Sequence, residues 1–460
     1  MSSKIVAIIG RPNVGKSSLF NRLIGKQVAI VHDTPGVTRD RNYGEAEWNG
    51  KKFFLIDTGG YVPNSDDKFE AAIREQVDIS MDEADLILFV VDAISGLAPL
   101  DLEIASMLRK NKKLLMKKII LVANKVDGEN KTLYKSDFFK LGLGEPNEVS
   151  ALVGRKSGDL LDIITSKLQS DESDKSESDK SIKFAIIGKP NVGKSSLLNS
   201  ITQTSRNIVT DIPGTTRDSI DTKIKFYGRD VTLIDTAGLR RKSRIRKAVN
   251  LEYYSALRAY RAIQRCDVSI IVIDATAILH KLSKSSTIEE ATFKLSREDV
   301  EIINEAAQIK KGIQMVINKW DLIEKDSRTA KLYEQKVKEH LKTYTYLPFI
   351  FTSAITKQRV SKILEAAVKV FDERDREIKT SELNAKLIPV IKITPPKSKR
   401  HKEVKMNYVT QLKKSPPVFG FFVNHPQEIE ENYKRFLEGK IRENWGFEGV
   451  PLTLVFKKKN

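Results

Sequence analysis

An octapeptide written twice constrains this chain more than any other feature. Gly10-Arg11-Pro12-Asn13-Val14-Gly15-Lys16-Ser17 returns 178 residues later as Gly188-Lys189-Pro190-Asn191-Val192-Gly193-Lys194-Ser195. Four further motifs repeat in the same order. Pro35-Gly-Val-Thr-Arg-Asp40 returns as Pro213-Gly-Thr-Thr-Arg-Asp218, and Asp57-Thr58-Gly59-Gly60 as Asp235-Thr236-Ala237-Gly238, both at the same 178-residue offset. Asn124-Lys125-Val126-Asp127 matches Asn318-Lys319-Trp320-Asp321 at 194, and Ser150-Ala151 matches Ser353-Ala354 at 203. A period this long is a duplicated domain, not a solenoid. The widening offset places insertions late in the second copy.

Between the copies, residues 169–181 (QSDESDKSESDKS) contain no apolar side chain, so they cannot bury a core and read as a flexible polar linker. The expected organisation is a first domain over 1–168, the linker, a second domain over 182–376 and a smaller domain over 377–460. In the first copy the apolar runs Ile5–Ile9, Phe53–Ile56, Leu86–Val91 and Ile119–Ala123 lack polar alternation, as strands buried on both faces do. Helical patterns such as Lys16–Leu23 and Leu100–Arg109 fall between them. The predicted class is α/β, with a doubly wound, mostly parallel sheet in each copy and a small α+β domain behind.

Composition narrows the setting. The 460 residues are 40% hydrophobic and 30% charged, an ordinary globular balance, with a net charge of +19. Such a surplus points to a polyanion, either nucleic acid or an acidic membrane surface. One cysteine, Cys266, rules out an internal disulfide framework. It precedes an apolar run and reads as a small buried side chain. No stretch reaches 18 apolar residues, and Ile5–Ile9 is too short for a signal segment. A reducing cytoplasmic location is expected. The five histidines show no metal-ligand spacing.

A Gly-x-x-x-x-Gly-Lys-Ser run between strand and helix is a phosphate loop. Its glycines let backbone N–H groups curl around phosphates, and the following helix aims its positive end at the anion. Lys16 and Lys194 neutralise phosphate charge, and Ser17 and Ser195 offer hydroxyls to Mg2+. Asp57 and Asp235 end apolar runs, where a carboxylate can hold Mg2+ through water. Gly60 and Gly238 can give an N–H to a γ-phosphate, and their loops continue into Tyr61 and Leu239. Thr38 and Thr216, each 28 residues past the first loop glycine, suit switch threonines completing the Mg2+ shell; Thr34 and Thr215 compete for that role. The carboxylates of Asp127 and Asp321 can accept from both N1–H and N2–H2 of guanine, which selects GTP over ATP. Asn124 and Asn318 buttress the base, and the stems of Lys125 and Lys319 cover it. Ser150-Ala151 and Ser353-Ala354 stand where a backbone N–H would meet guanine O6.

With both motif sets in hand, the chain resembles the Der (EngA) family of bacterial GTPases, which carry two consecutive G domains and a C-terminal KH-like domain. The resemblance spans the whole chain, including Asn444-Trp-Gly-Phe-Glu-Gly-Val-Pro451. It implies GTP hydrolysis coupled to assembly and stability of the large (50S) ribosomal subunit, with that subunit and its rRNA as partner and a monomer off the ribosome. An RNA-binding scaffold switched by nucleotide, with little turnover, is the alternative; a phosphate-transferring ATPase is disfavoured by Asp127 and Asp321.

Many regulatory GTPases place Gln after Asp-x-x-Gly to orient water. Tyr61 and Leu239 occupy that position here, so water must be positioned otherwise. Asn13 and Asn191 are candidates for holding K+, as in similar GTPases. After the second Asp-x-x-Gly comes a basic run, with Arg240, Arg241 and Lys242 among six basic residues in eight. It is expected to contact RNA or another domain and to move with nucleotide state. The stretch His280–Ser296 reads as a loop insertion. In the tail, residues 376–460 hold 18 Lys and Arg against 9 Asp and Glu. The tail reads as a strand at Leu387–Ile393, a basic loop at Pro395–Glu403, a strand at Val418–Val423, a helix at Gln427–Trp445 and a strand at Leu452–Phe456. Lys397, Lys399, Arg400 and Lys402 of the basic loop are the RNA-binding candidates. Gly446-Phe-Glu-Gly449 matches the Gly-x-x-Gly of KH domains only formally; it joins helix to strand and reads as a turn.

Overall fold

The apolar runs of the first copy form strands in the structure, a computed structural model. It describes residues 4–25, 43–57, 84–110, 118–128, 135–169, 181–204, 209–211, 221–234, 259–280, 292–324, 328–396 and 404–458. The chain falls into two compact units, Met1–Ser178 and Asp179–Asn460.

In the first unit the strands are β1 (Lys4–Ile9), β2 (Tyr43–Trp48), β3 (Lys51–Asp57), β4 (Leu86–Asp92), β5 (Lys118–Asn124) and β6 (Asn147–Glu148). Their order is β2-β3-β1-β4-β5-β6, and only the β2–β3 pair is antiparallel. Every residue of β4 is buried, which explains why the run carries no polar alternation. The helix Lys16–Ile24 lays Leu19, Phe20 and Leu23 on the sheet. Because β1 lies between β3 and β4, chain order reverses there, and in open α/β sheets ligands bind beyond the carboxyl ends of the strands at such a reversal.

The second unit repeats this plan. It contains β7 (Ile182–Ile187), β8 (Val209–Asp211), β9 (Thr222–Phe226), β10 (Arg229–Ile234), β11 (Val268–Asp274), the short pair β12 (Leu279–His280) and β13 (Thr292–Phe293), β14 (Gly312–Asn318) and β15 (Phe349–Phe351). The main sheet runs β15-β14-β11-β7-β10-β9-β8, with β8 and β9 antiparallel at one edge. The antiparallel pair β12–β13 falls within the expected insertion.

The tail is α+β, as expected, but two elements differ: one expected strand is helix, and the strand Met406–Lys413 is additional. Leu387–Ile393 is not a strand; it is the end of a helix, Thr380–Ile393. Leu383, Leu387 and Ile391 recur every four residues and are buried, so the apolar run has a helical period. The strand beside it is β16 (Met406–Lys413), followed by β17 (Val418–Val423), the helix Glu431–Trp445 and β18 (Thr453–Lys458). β17 pairs antiparallel with β16 and parallel with β18. Leu437, Ile441 and Trp445 are buried on one face of the helix.

Core packing joins this tail to the second sheet. Phe184, Val268, Val272 and Val316 belong to one apolar cluster with Leu383, Phe419, Phe421, Leu437 and Phe447. The Gly446–Gly449 segment sits at that junction. Phe447 is fully buried and meets Phe419 edge to face. Its N–H donates to Glu373 at 2.9 Å, Ile313 N–H donates to Gly449 C=O at 2.8 Å, and Gly449 N–H donates to Tyr346 C=O at 2.8 Å. The Arg442 guanidinium lies 3.7 Å from the Tyr346 ring centroid. A segment so occupied is a turn that holds the tail to the second sheet, with its Phe447 and Gly449 backbone groups already taken by protein partners.

Candidate nucleotide sites

Each phosphate loop starts where a central strand ends. In the first unit β1 stops at Ile9, the chain turns through Gly10–Gly15, and the helix begins at Lys16. The ammonium of Lys16 is buried and donates to the carbonyls of Gly10 and Arg11, both at 2.9 Å. Burial holds its pKa below the usual lysine range, and nearby Asp57 opposes that shift. The ammonium of Lys194 likewise donates to the carbonyls of Gly188 and Lys189. Asn13 and Asn191 adopt left-handed φ of 64° and 66°, a conformation Asn tolerates better than most side chains.

The base motif and the Ser-Ala loop are brought onto this loop by one side chain in each copy. Asn124 donates through Nδ2 to Val14 C=O at 2.9 Å, while its Oδ1 accepts from Ala151 N–H at 3.0 Å. Asn318 donates to Val192 C=O at 2.9 Å and accepts from Ala354 N–H at 3.2 Å. The approach is so close that a Cβ on Gly15 would lie 2.4 Å from Asn124 Nδ2, and one on Gly193 2.3 Å from Asn318 Nδ2. Glycine at those positions is required by space as well as by its φ of 89° and 95°.

The carboxylates of Asp127 and Asp321 differ in support. Asp127 accepts from Ser150 Oγ at 2.6 Å. Ser353 Oγ instead accepts from Thr356 N–H at 3.1 Å, and Asp321 Oδ1 is buried with no hydrogen-bond partner among the described residues. Val126 and Trp320, the variable residues of the two motifs, are both buried. Trp320 packs edge to face on Tyr333, whose ring also meets Phe293 of β13, so the described part of the insertion packs behind the second base loop.

Charged residues outside the motifs complete both sites. Asp92, at the end of β4, pairs with Lys125 at 2.7 Å; Asp274, at the end of β11, pairs with Lys319 at 2.6 Å. Arg11 donates to the buried carboxylate of Asp101 at 3.1 Å, and Lys189 pairs with Glu298 at 2.8 Å, so each loop's second residue is tied to the helix beyond. Motif reading passed over these four acids, although Asp-Ala after an apolar run recurs in both copies as Asp92-Ala93 and Asp274-Ala275.

Asp57 is buried at the end of β3, and Ser17 is exposed at the start of its helix. A carboxylate and a hydroxyl are hard oxygen donors that suit Mg2+ with several waters. Among the described residues there is no cluster of three or more His, Cys, Asp or Glu. Thr38, Thr58, Gly59, Gly60, Tyr61, Thr216, Asp235, Thr236, Ala237, Gly238, Leu239, the basic run from Arg240 through Lys242, and Lys397, Lys399, Arg400 and Lys402 lie outside the described residues.

Cys266 is buried beside β11 and its thiol pKa is pushed up to about 11 by that burial, as for an inert core side chain.

Comparison with known proteins accords with this geometry. A family described as "50S ribosome-binding GTPase" matches residues 5–125 and again 183–319. A second, described as "KH-domain-like of EngA bacterial GTPase enzymes, C-terminal", matches 377–457. GTPase Der of Chloroherpeton thalassium is 51% identical over 99% of each chain. The chain belongs to the GTPase Der family. Der of Caldanaerobacter subterraneus is 48% identical over 100% of this chain and 99% of its own. Among solved structures, Era of Aquifex aeolicus bound to GDP and AlF4− covers 77% of this chain and 93% of its own, at 20% identity and a TM-score of 0.29. As a Der-family member the chain is a P-loop GTP hydrolase with tandem G domains and a KH-like tail. No helix among the described residues is long and apolar enough to cross a membrane.

Proposed function

We propose that this GTPase acts in assembly and stability of the large ribosomal subunit, binding rRNA in a manner set by the nucleotide in its two G sites. Full-length identity to curated Der proteins is the observation that carries this reading. The lysine-rich tail supplies the charge that an RNA partner requires. The domains run over 1–168, 182–376 and 377–460, joined by the linker 169–181, and the protein works in the cytoplasm as a monomer off the ribosome. Binding of purified 50S subunits to the chain with GTP, GDP or no nucleotide tests the reading. Association in at least one state is expected; absence in all three overturns it.

Within each site Lys16 and Lys194 swing from their own loop carbonyls to the phosphates. Ser17, Thr38 and Asp57 in the first copy, and Ser195, Thr216 and Asp235 in the second, hold Mg2+. When bound, that ion neutralises charge developing on the phosphate oxygens. Gly60 and Gly238 sense the γ-phosphate, and Asp127 and Asp321 select guanine. Neither Tyr61 nor Leu239 has a side chain that orients water as Gln does, so intrinsic turnover is slow. Asn13 and Asn191 supply K+ ligands that raise it. Turnover in KCl should exceed that in NaCl at equal ionic strength, and equal rates remove the potassium role.

RNA contact falls to Arg240, Arg241, Lys242, Lys397, Lys399, Arg400 and Lys402. Replacing these seven by Gln should weaken 50S association and flatten its salt dependence while leaving GTP affinity in place. Unchanged association assigns the contact elsewhere.

A further inference from the structure

We propose that Asp92 and Asp274 are positioning residues for base recognition, each fixing the lysine of its Asn-Lys-x-Asp loop so that the lysine stem lies across the base. The proposal rests on the assignment of those loops to guanine.

Strand register brings the groups together. Asp92 stands beside Asn124 across β4 and β5, and Asp274 beside Asn318 across β11 and β14. The lysine is the next residue in each motif, and it turns left-handed, with φ of 72° at Lys125 and 60° at Lys319. A side chain with a Cβ adopts that conformation only where its surroundings hold it there. The turn brings each ammonium back to the carboxylate it has just passed.

The two oxygens of each carboxylate divide their work. Oδ1 of Asp92 accepts from Ile94 N–H at 2.8 Å and Ser95 N–H at 3.2 Å, and its Oδ2 accepts from Lys125 at 2.7 Å. Oδ1 of Asp274 accepts from Thr276 N–H at 2.9 Å and Thr276 Oγ1 at 2.7 Å, and its Oδ2 accepts from Lys319 at 2.6 Å. A carboxylate serving only as a cap needs one oxygen. The second is spent on the lysine in both copies, although the segments that follow differ in sequence and length. The carboxylates are nearly buried, with side-chain exposures of 7% and 12%, while the lysines, at 35% and 32%, keep part of their length in solvent. Lys125 also donates to Asn13 C=O at 2.6 Å, so its ammonium joins the strand end, the base loop and the phosphate loop.

Asp→Asn tests this cleanly, because Asn keeps the Oδ1 cap and the shape while removing the charge. Asp92→Asn is made in a Lys194→Ala chain, where the first site carries binding, and Asp274→Asn in a Lys16→Ala chain. Affinities for GDP and for inorganic tripolyphosphate are measured by calorimetry, with Asp127→Asn or Asp321→Asn as the reference for loss of base contact. GDP affinity should fall about tenfold while tripolyphosphate affinity and melting temperature hold. An unchanged GDP affinity overturns the proposal. So does a parallel loss of both ligands, the mark of a loop that has merely collapsed. If the Asp127→Asn and Asp321→Asn references also bind GDP normally, the base assignment fails and this role fails with it.

Discussion

Asp127 and Asp321, the two carboxylates proposed to read guanine, differ in support: one is braced by a serine hydroxyl, and the other has a buried oxygen with no hydrogen-bond partner among the described residues. Replacing either by Asn turns an acceptor for guanine N2–H2 into a donor facing it. Each change should cost about 2–3 kcal/mol of GTP affinity at its own site, as unpaired charge-assisted bonds do. Titration of each variant with GTP and with xanthosine triphosphate, whose O2 accepts what Asn donates, reads this directly. Cys266 gives a second residue-scale outcome. Its buried thiol keeps its proton to about pH 11, while the unfolded chain loses it nearer the ordinary value of 9.0. Stability from this group is therefore present below pH 9 and is lost as pH rises from there toward 11. A disulfide reagent should modify it at the rate of unfolding; rapid reaction with the native chain contradicts its burial.

At the scale of elements, the glycines of the phosphate loops and of the tail's turn answer to neighbours distant in sequence. Gly15→Ala or Gly193→Ala drives a methyl into the asparagine that joins three loops, and should cost about 2 kcal/mol or more of stability together with nucleotide affinity. Thermal melts with and without GDP check both. Motifs of this kind were legible from sequence because phosphate binding demands a fixed order of small and charged residues over a few positions. Their partners Asp92 and Asp274 were visible only as a repeated Asp-Ala pair, since their roles depend on strand register. The helix Thr380–Ile393 was misread for a local reason: its second half is Leu-Ile-Pro-Val-Ile-Lys-Ile, rich in β-branched residues and carrying Pro389. Packing of Leu383, Leu387 and Ile391 against the core overrides that preference.

For the whole molecule, duplication and composition set the expected domain bounds, but the packing of the tail on the second G sheet lay beyond sequence reading. It rests on Phe447 and Gly449, within the Gly-x-x-Gly turn, and on Arg442 of the helix before it. Because one apolar cluster serves both parts, residues 179–460 should unfold in a single transition. Phe447→Ala should remove about 3–5 kcal/mol and split that transition in two, as denaturant unfolding followed by circular dichroism would report. The central claim is that one chain carries two working guanine-nucleotide sites. Equilibrium binding of GTP to the wild-type chain, to Lys16→Ala, to Lys194→Ala and to the double variant tests it most directly. The account predicts two, one, one and no molecules bound per chain, displaced by GDP and not by ATP. A single site in the wild-type chain, or equal displacement by ATP, would contradict it.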